Sequence, residues 1–289
     1  MTAFEYVKPA SLEQLISGLL KAGRSGAVLA GGTDVLVKIR AGKMEPRVLF
    51  DASGVPNLRG LHDEGERLRI GAAVTMAELA SSPLVRAKVP ALAEAAAQVG
   101  ARQIRNRATV GGNIVTASPA ADSVPPLLAS GAALILAGPD GRRELSLAEF
   151  LTGPGQVLLA PGEVLVDVVV PADRPGIRSR FLKVGRRRAM AISVISLAGR
   201  LEMTGGIMRE ARILLGAVAP TAIRAFHAED ALRGRRPSAA LLAEAARLAA
   251  EEARPITDVR ATADGRRRLV EAWALHLLQS LVDGERRCV

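Results

Sequence analysis

Ala108-Thr109-Val110-Gly111-Gly112-Asn113-Ile114-Val115-Thr116-Ala117-Ser118-Pro119-Ala120-Ala121-Asp122 is the stretch whose reading decides the fold. Two adjacent glycines follow a β-branched pair, an Asn comes next, and small residues lead to a single carboxylate. Glycine permits backbone angles that a Cβ forbids, and it lets another molecule approach the main chain closely. Successive N–H groups in such a turn can converge on an anion such as a phosphate. Taken alone, Gly-Gly-Asn more often marks a tight turn between two elements. A counterpart lies upstream, Leu29-Ala30-Gly31-Gly32-Thr33-Asp34, and two glycine loops suit a pyrophosphate better than one.

Outward from these loops, Ser11 and Gln14 form a capping box that opens a helix. Leu12, Leu15, Ile16, Leu19 and Leu20 recur on it at helical spacing, and Gly23 stops it. Residues 27–30 read as a short buried strand ending at Gly31-Gly32. Thr33 or Asp34 caps a helical turn carrying Val35, Leu36 and Ile39, and 47–51 is a second strand. The first glycine loop thus stands at a strand end, where ligands commonly sit in α/β units. Residues 57–65 read as a join between subdomains, 68–73 as a strand, and Thr75 with Glu78 as another capping box. Pro90 opens an alanine-rich helix that ends at Gly100. Asp122 or Ser123 starts a further helix with Pro125 and Pro126 in its first turn, where proline costs little. A strand at 132–137, the Pro139-Asp140-Gly141 turn and a capping box at Ser146 and Glu149 follow. The β-branched run 164–170 closes the first domain near Pro171.

Asp173-Arg174-Pro175-Gly176 marks a domain boundary. Three extended runs come after it, 178–184, 192–203 and 207–218, with Thr204-Gly205-Gly206 as the hairpin turn between the last two. The remainder reads as helical, from Pro220 and Thr221, from Pro237 and Ser238 through 239–253, and over 266–282. Leu269, Trp273, Leu277 and Leu281 form one stripe on the last of these.

The chain has 289 residues, which suits two domains of about 100–200 residues each. Apolar residues make up 49 % and aromatics only 2 %, so the cores are built from Ala, Val, Leu and Ile. Cys288 is the single cysteine, which excludes an intramolecular disulfide and any cysteine-ligated zinc or iron–sulfur site and suits a cytoplasmic location. Residues 2–8 do not resemble a signal peptide, and no apolar run reaches the roughly 18 residues of a membrane span. The net charge of +10 lies largely in the clusters 186–188, 235–236, 266–268 and 286–287. These lack interleaved aromatics on which bases could stack, and they read as solvated faces and subunit contacts. His62, His227 and His276 have no metal-ligand spacing, and no residue stands out as an acid, base or nucleophile.

The two glycine loops, their order and the boundary position together resemble the FAD-binding (medium) subunit of molybdenum-containing hydroxylases, the carbon monoxide dehydrogenase and xanthine dehydrogenase type. The likeness covers nearly the whole chain. It implies an α+β fold: a two-part α/β FAD-binding domain of the molybdenum hydroxylase/PCMH type over 1–172, with subdomains about 1–56 and 57–172. A C-terminal flavoprotein domain over 173–289 follows, a three-stranded antiparallel sheet with helices. The resemblance assigns Val28, Leu29, Ala30, Gly31, Gly32, Thr33, Asp34 and Val35 to the FAD diphosphate and flavin. It assigns Thr109, Val110, Gly111, Gly112 and Asn113 to the other half of that cradle. Asp122 would fix a cofactor hydroxyl or ring group, Val99 and Leu165 would line the cofactor, and Lys183 would contact it from the C-terminal domain.

The resemblance further implies an electron-transfer subunit. Substrate hydroxylation would belong to a molybdenum–pterin centre on a large partner subunit. Electrons would cross two [2Fe–2S] clusters on a small partner subunit to FAD and leave to NAD, a quinone or oxygen. The assembly would be a dimer of heterotrimers, with no nucleic acid and no membrane span. Two departures stand out. Asp258-Val259-Arg260 and Ala263 match a family motif, but Gly265 replaces the tyrosine expected before Arg266. The cysteine-rich insertion of the hydroxybenzoyl-CoA reductase branch is absent. The alternatives are a stand-alone FAD-dependent oxidoreductase on the same fold and a basic nucleic-acid-binding protein.

Overall fold

The computed structural model describes residues 3–187 and 189–284; Arg188, the basic pair 286–287 and Cys288 lie outside the described residues. Among the described residues three larger sheets organise the chain, beside a two-stranded ladder of Leu151–Gly153 with Gln156–Val157. The first is small and parallel, with Val48–Asp51 between Glu5–Val7 and Gly26–Leu29. Helix Leu12–Ala22 crosses it and buries Leu12 and Leu15 in a cluster with Phe50. Ser11 caps this helix by accepting from the Gln14 N–H, but the Gln14 side chain accepts from the Ala10 N–H instead of closing the expected box. The boxes at Thr75/Glu78 and Ser146/Glu149 are both closed.

The second sheet has five antiparallel strands in the order Leu61–Asp63, Arg67–Gly71, Val164–Pro171, Ala133–Gly138 and Gly141–Ser146. Its central strand Val164–Pro171 is apolar at nearly every position because both faces are covered. Leu165, Val168 and Val170 meet Leu92, Ile114 and Phe150 on one side, and Val164 and Val166 meet Leu12 and Leu15 on the other. Part of the expected 57–65 join is the edge strand Leu61–Asp63. It needs only one ladder partner, so its exposed His62 and Asp63 do not prevent pairing.

The third sheet is antiparallel and has four strands, Ile177–Gly185, Ser193–Thr204, Ile207–Gly216 and Ile223–Arg224, one more than the sequence predicts. The predicted helix at Pro220 gives way to this last short strand, and the helix starts only at Phe226. Glu229 explains the order: its buried carboxylate accepts from the Ile213 N–H at 2.8 Å and from Arg224, pinning 223–224 to the sheet. Helices Phe226–Leu232, Ala239–Glu252 and Ala263–Asp283 cover one face of this sheet in a single core. The other face sets Phe181, Ala198 and Leu214 against Ala91, Ala95 and Ala129 of the preceding half. Alanine on those two helices lets them approach the sheet closely, which puts the low aromatic content to structural use.

The quoted stretch differs most from its reading. It is not an open turn: Val110–Thr116 is a helix, and Thr109 caps it by accepting from the Gly112 N–H at 3.1 Å. Neither Gly111 nor Gly112 has a positive φ. Gly111 is required by proximity, since a Cβ there would lie 2.7 Å from both the Cβ and the carbonyl oxygen of Ala72. Among the described residues no helix is long and apolar enough to cross a membrane.

Candidate functional site

The parallel strand Gly26–Leu29 delivers its C-terminal end to Ala30-Gly31-Gly32-Thr33-Asp34, and helix Val35–Arg40 carries the chain away. Gly31 lies against the main chain of the second glycine segment, where an added Cβ would sit 1.8 Å from the Arg107 oxygen and 3.0 Å from the Ala108 Cα. The two segments therefore face one another in contact. Gly32 has φ +78°, a conformation that favours glycine, and it turns the chain into the helix. Between the small sheet, the five-stranded sheet and the edge of the four-stranded sheet runs a cleft of about 690 Å³.

The two glycine segments offer different chemistry. Gly31, Gly32, Thr33 and Asp34 donate no main-chain hydrogen bond to protein among the described residues. In the second segment the donors are committed: Gly111 N–H to Ala72, Gly112 N–H to the Thr109 hydroxyl, and Asn113 N–H to the Thr109 carbonyl. What it presents instead are side chains. The Thr109 hydroxyl proton is uncommitted among the described residues, and the Asn113 Oδ1 accepts from Ser123 at 2.6 Å, which leaves its amide protons free. Main-chain donors on one side and hydroxyl and amide donors on the other form a cradle for an anion.

Asp122 does not cap the following helix. It is 6 % exposed and accepts from the Lys183 ammonium and the Ser193 hydroxyl, each at 2.6 Å. Burial pushes the Asp122 carboxyl up, against the opposing pull of Lys183 and Ser193. Lys183 also donates to the Gln98 carbonyl at 3.0 Å. The next two carbonyls are engaged as well, Val99 by Arg105 at 3.2 Å and Gly100 by the Met190 N–H at 3.4 Å. Residues 98–100 are thus the seam at which the third sheet is fastened to the cleft.

Of the residues singled out in the sequence, Val28, Ala30, Gly31, Gly32, Thr33, Asp34, Val35, Val99, Thr109, Gly111, Gly112, Asn113, Asp122 and Leu165 line the cleft. Leu29, Val110 and Lys183 do not: Leu29 ends the small sheet, Val110 is fully buried in the core, and Lys183 lies behind Asp122. The sequence reading missed Lys38, the one cation of the lining among the described residues, and the wall formed by Met190, Ala191 and Ile192. Lys38 follows Val35 by one helical turn, a spacing visible in the sequence. Met190 has φ +52° without being glycine, which no sequence pattern announces.

The lining suits a flavin dinucleotide. Its volume lies within the range of about 300–1,000 Å³ usual for cofactor sites. Diphosphate oxygens would be held by the free donors of 31–34 with Thr109, Asn113 and Lys38, while aliphatic walls such as Val35 and Leu165 would receive the rings. Among the described residues the lining contains no aromatic side chain. Among the described residues no group of His, Cys, Asp and Glu could hold a metal ion.

The fold and the cleft together define a flavin-binding chain in two parts, and comparison with known proteins agrees. Residues 2–173 match the family described as the FAD binding domain in molybdopterin dehydrogenase, and residues 180–281 match the CO dehydrogenase flavoprotein C-terminal domain. The carbon monoxide dehydrogenase medium chain of Hydrogenophaga pseudoflava is 34 % identical over 90 % of this chain and 91 % of its own length. The xanthine dehydrogenase FAD-binding subunit of Escherichia coli O157:H7 is 33 % identical over 96 % and 95 %. The solved carbon monoxide dehydrogenase from Hydrogenophaga pseudoflava superimposes with a TM-score of 0.93 over 97 % of each chain. Quinoline 2-oxidoreductase from Pseudomonas putida 86 does so with 0.93 over 98 % of each chain, at 31 % identity. The chain belongs to the family of FAD-binding subunits of molybdenum-containing dehydrogenases, and its cofactor is FAD.

Proposed function

We propose that this chain is the electron-transfer subunit of a molybdenum-containing hydroxylase, receiving electrons from [2Fe–2S] clusters on a small partner subunit and releasing them to an external acceptor. When bound, FAD supplies the conversion between one-electron and two-electron transfer that this position needs. The chain's residues hold and orient it. In this reading the N–H groups of 31–34, the Thr109 hydroxyl, the Asn113 amide and the Lys38 ammonium bind the diphosphate. Val28, Val35, Val99 and Leu165 bear on the rings, and the Asp122–Lys183 pair sets the polarity at the seam.

The reading divides the chain at 173–176 into a FAD-binding domain and a C-terminal domain. It places molybdenum chemistry on a large partner subunit, the whole assembling as a dimer of heterotrimers in the cytoplasm, with NAD, a quinone or oxygen as acceptor. The observation that carries it is the contact of Gly31 with Arg107, which sets uncommitted donors on both sides of one cleft.

The test is direct. The chain, purified from its native complex, should be yellow and release one FAD per polypeptide. Its flavin should bleach on addition of the complex's substrate only while the partner subunits are present. Bleaching of the isolated chain by a small reductant such as NADH, at the rate of the whole complex, would instead favour a stand-alone reductase.

A further inference from the structure

We infer that Arg266 is a positioning residue for the cofactor cleft, holding together two of the strand ends through which the third sheet grips the loop carrying Asp122. The inference rests on the reading that the cleft holds FAD. Arg266 is in the first turn of helix Ala263–Asp283 and is 3 % exposed. A guanidinium so deeply buried is costly unless hydrogen-bonded, and well-packed apolar residues often serve stability as well. Its contacts point to another use.

One amino group, Nη1, donates to the Val194 carbonyl at 2.9 Å and to the Ala217 carbonyl at 2.7 Å. Val194 is the second residue of strand Ser193–Thr204, and Ala217 directly follows strand Ile207–Gly216. Each has an attachment to the cleft beside it. Next to Val194, the Ser193 hydroxyl donates to Asp122 at 2.6 Å. The Ala217 N–H itself donates to the Pro119 carbonyl at 2.8 Å. Pro119 and Asp122 belong to one short loop, of which Ser118, Ala120, Ala121 and Asp122 line the cleft.

Ala217 has φ +62°, a left-handed conformation that alanine adopts at a cost, and bonds on both its N–H and its carbonyl hold it there. The other amino group of Arg266 is fixed by Asp258 at 2.7 Å, which also accepts from the Arg260 N–H at 2.8 Å. The Asp258–Arg260–Arg266 motif is thereby a clamp, and its jaws close beside two of the three points where the third sheet meets the cofactor loop, the other being Lys183 on Asp122. Lysine could not replace the fork, because an ammonium lacks the planar, divergent donors.

The experiment compares the full-length protein with Arg266→Lys, Arg266→Met and Asp258→Asn, using Val270→Ala as control. Val270 is buried in the same helix, so its truncation lowers stability without touching the clamp. FAD affinity is read from flavin fluorescence during titration of the apoprotein, together with the flavin midpoint potential and the thermal midpoint. Arg266→Lys and Asp258→Asn should weaken FAD binding by about tenfold and shift the potential, with Val270→Ala leaving both at the wild-type value. In the double variant Arg266→Lys with Ser193→Ala, the loss should be no greater than that of the more affected single variant. If Arg266→Met does not fold, Asp258→Asn carries the comparison, since Asp258 lies at the surface end of the clamp. Variants that lose thermal stability but keep wild-type FAD affinity and potential would overturn the inference. A wild-type chain that takes up no FAD would overturn the proposed function instead.

Discussion

Gly31 and Arg107 meet main chain to main chain, with room for a hydrogen at position 31 and none for a methyl group. The contact brings together two segments more than seventy residues apart in sequence, and everything the cleft can bind depends on it. The φ of Gly31 is one that alanine adopts, so the objection to a larger residue is steric. Gly31→Ala should cost about 3 kcal/mol or more, because the opposing atom is a carbonyl oxygen that cannot turn aside. FAD content and the thermal midpoint should fall together. A Gly31→Ala protein with full FAD and an unchanged midpoint would mean that the segments are not in contact.

Gly111 and Gly112 separate propensity from packing. Both lie in the helix Val110–Thr116, where alanine is preferred over glycine by about 1 kcal/mol. At 111 the new methyl would press on the Ala72 backbone, so Gly111→Ala should destabilise by a net 1–2 kcal/mol, roughly. At 112 its near neighbour is only the Thr109 hydroxyl, at 2.9 Å, and Gly112→Ala should fold normally. Gly112→Asp should also fold, yet lose FAD, because it sets a carboxylate beside the donors proposed for the diphosphate. Urea unfolding with FAD quantitation checks all three.

Lys183→Met leaves the Asp122 carboxylate buried with only Ser193 as partner, and breaking such a pair costs about 3–5 kcal/mol. The loss should depend on pH. The fold raises the Asp122 carboxyl above its ordinary value, and removal of Lys183 takes away the main opposing influence. A carboxyl raised in the folded state destabilises the protein as pH climbs past the unfolded value of about 4. The variant should therefore be closest to wild type at the acid end and furthest from it near neutrality. Adding Asp122→Asn should recover part of the loss.

Asp258 has the opposite sign. The Arg260 N–H, reinforced by the Arg266 and Arg260 guanidinium groups, holds its carboxyl well below the usual carboxylate range. A depressed carboxyl stabilises the folded state above the unfolded value of about 4, and the contribution disappears as pH falls through the folded value. The gap in unfolding midpoint between wild type and Asp258→Asn should be widest at neutral pH and narrow steadily below about 4. A gap of constant width would remove this carboxylate from the pH dependence.

Much of the architecture was readable from periodicity and caps. Alternation and β-branching mark Val164–Pro171, and Thr204-Gly205-Gly206 sets the hairpin. What escaped depended on partners distant in sequence. The helix at Val110 looked like a turn because two glycines suggest freedom, whereas Gly111 is there to admit Ala72. Asp122 looked like a cap because nothing in the sequence reveals that Lys183 and Ser193 will claim both its oxygens. Ile223–Arg224 is too short to show a strand pattern, and it is fixed by its pairing with Leu214 and Leu215 and by the bonds of Glu229 to Ile213 and Arg224. The main-chain half of the anion cradle was legible. Lys38 and the wall at Met190 were not, and the wall depends on the segment that leads into the third sheet.

That wall has a consequence for biosynthesis. Residues 28–38 leave the ribosome before the surface opposite them, which includes Ile192. Synthesis runs from the N-terminus, so a cofactor site built as proposed gains its far wall only after residue 192 has emerged. Domains commonly fold as they emerge, and here the surface around residues 28–38 has no wall on its 190–192 side until that later segment joins it.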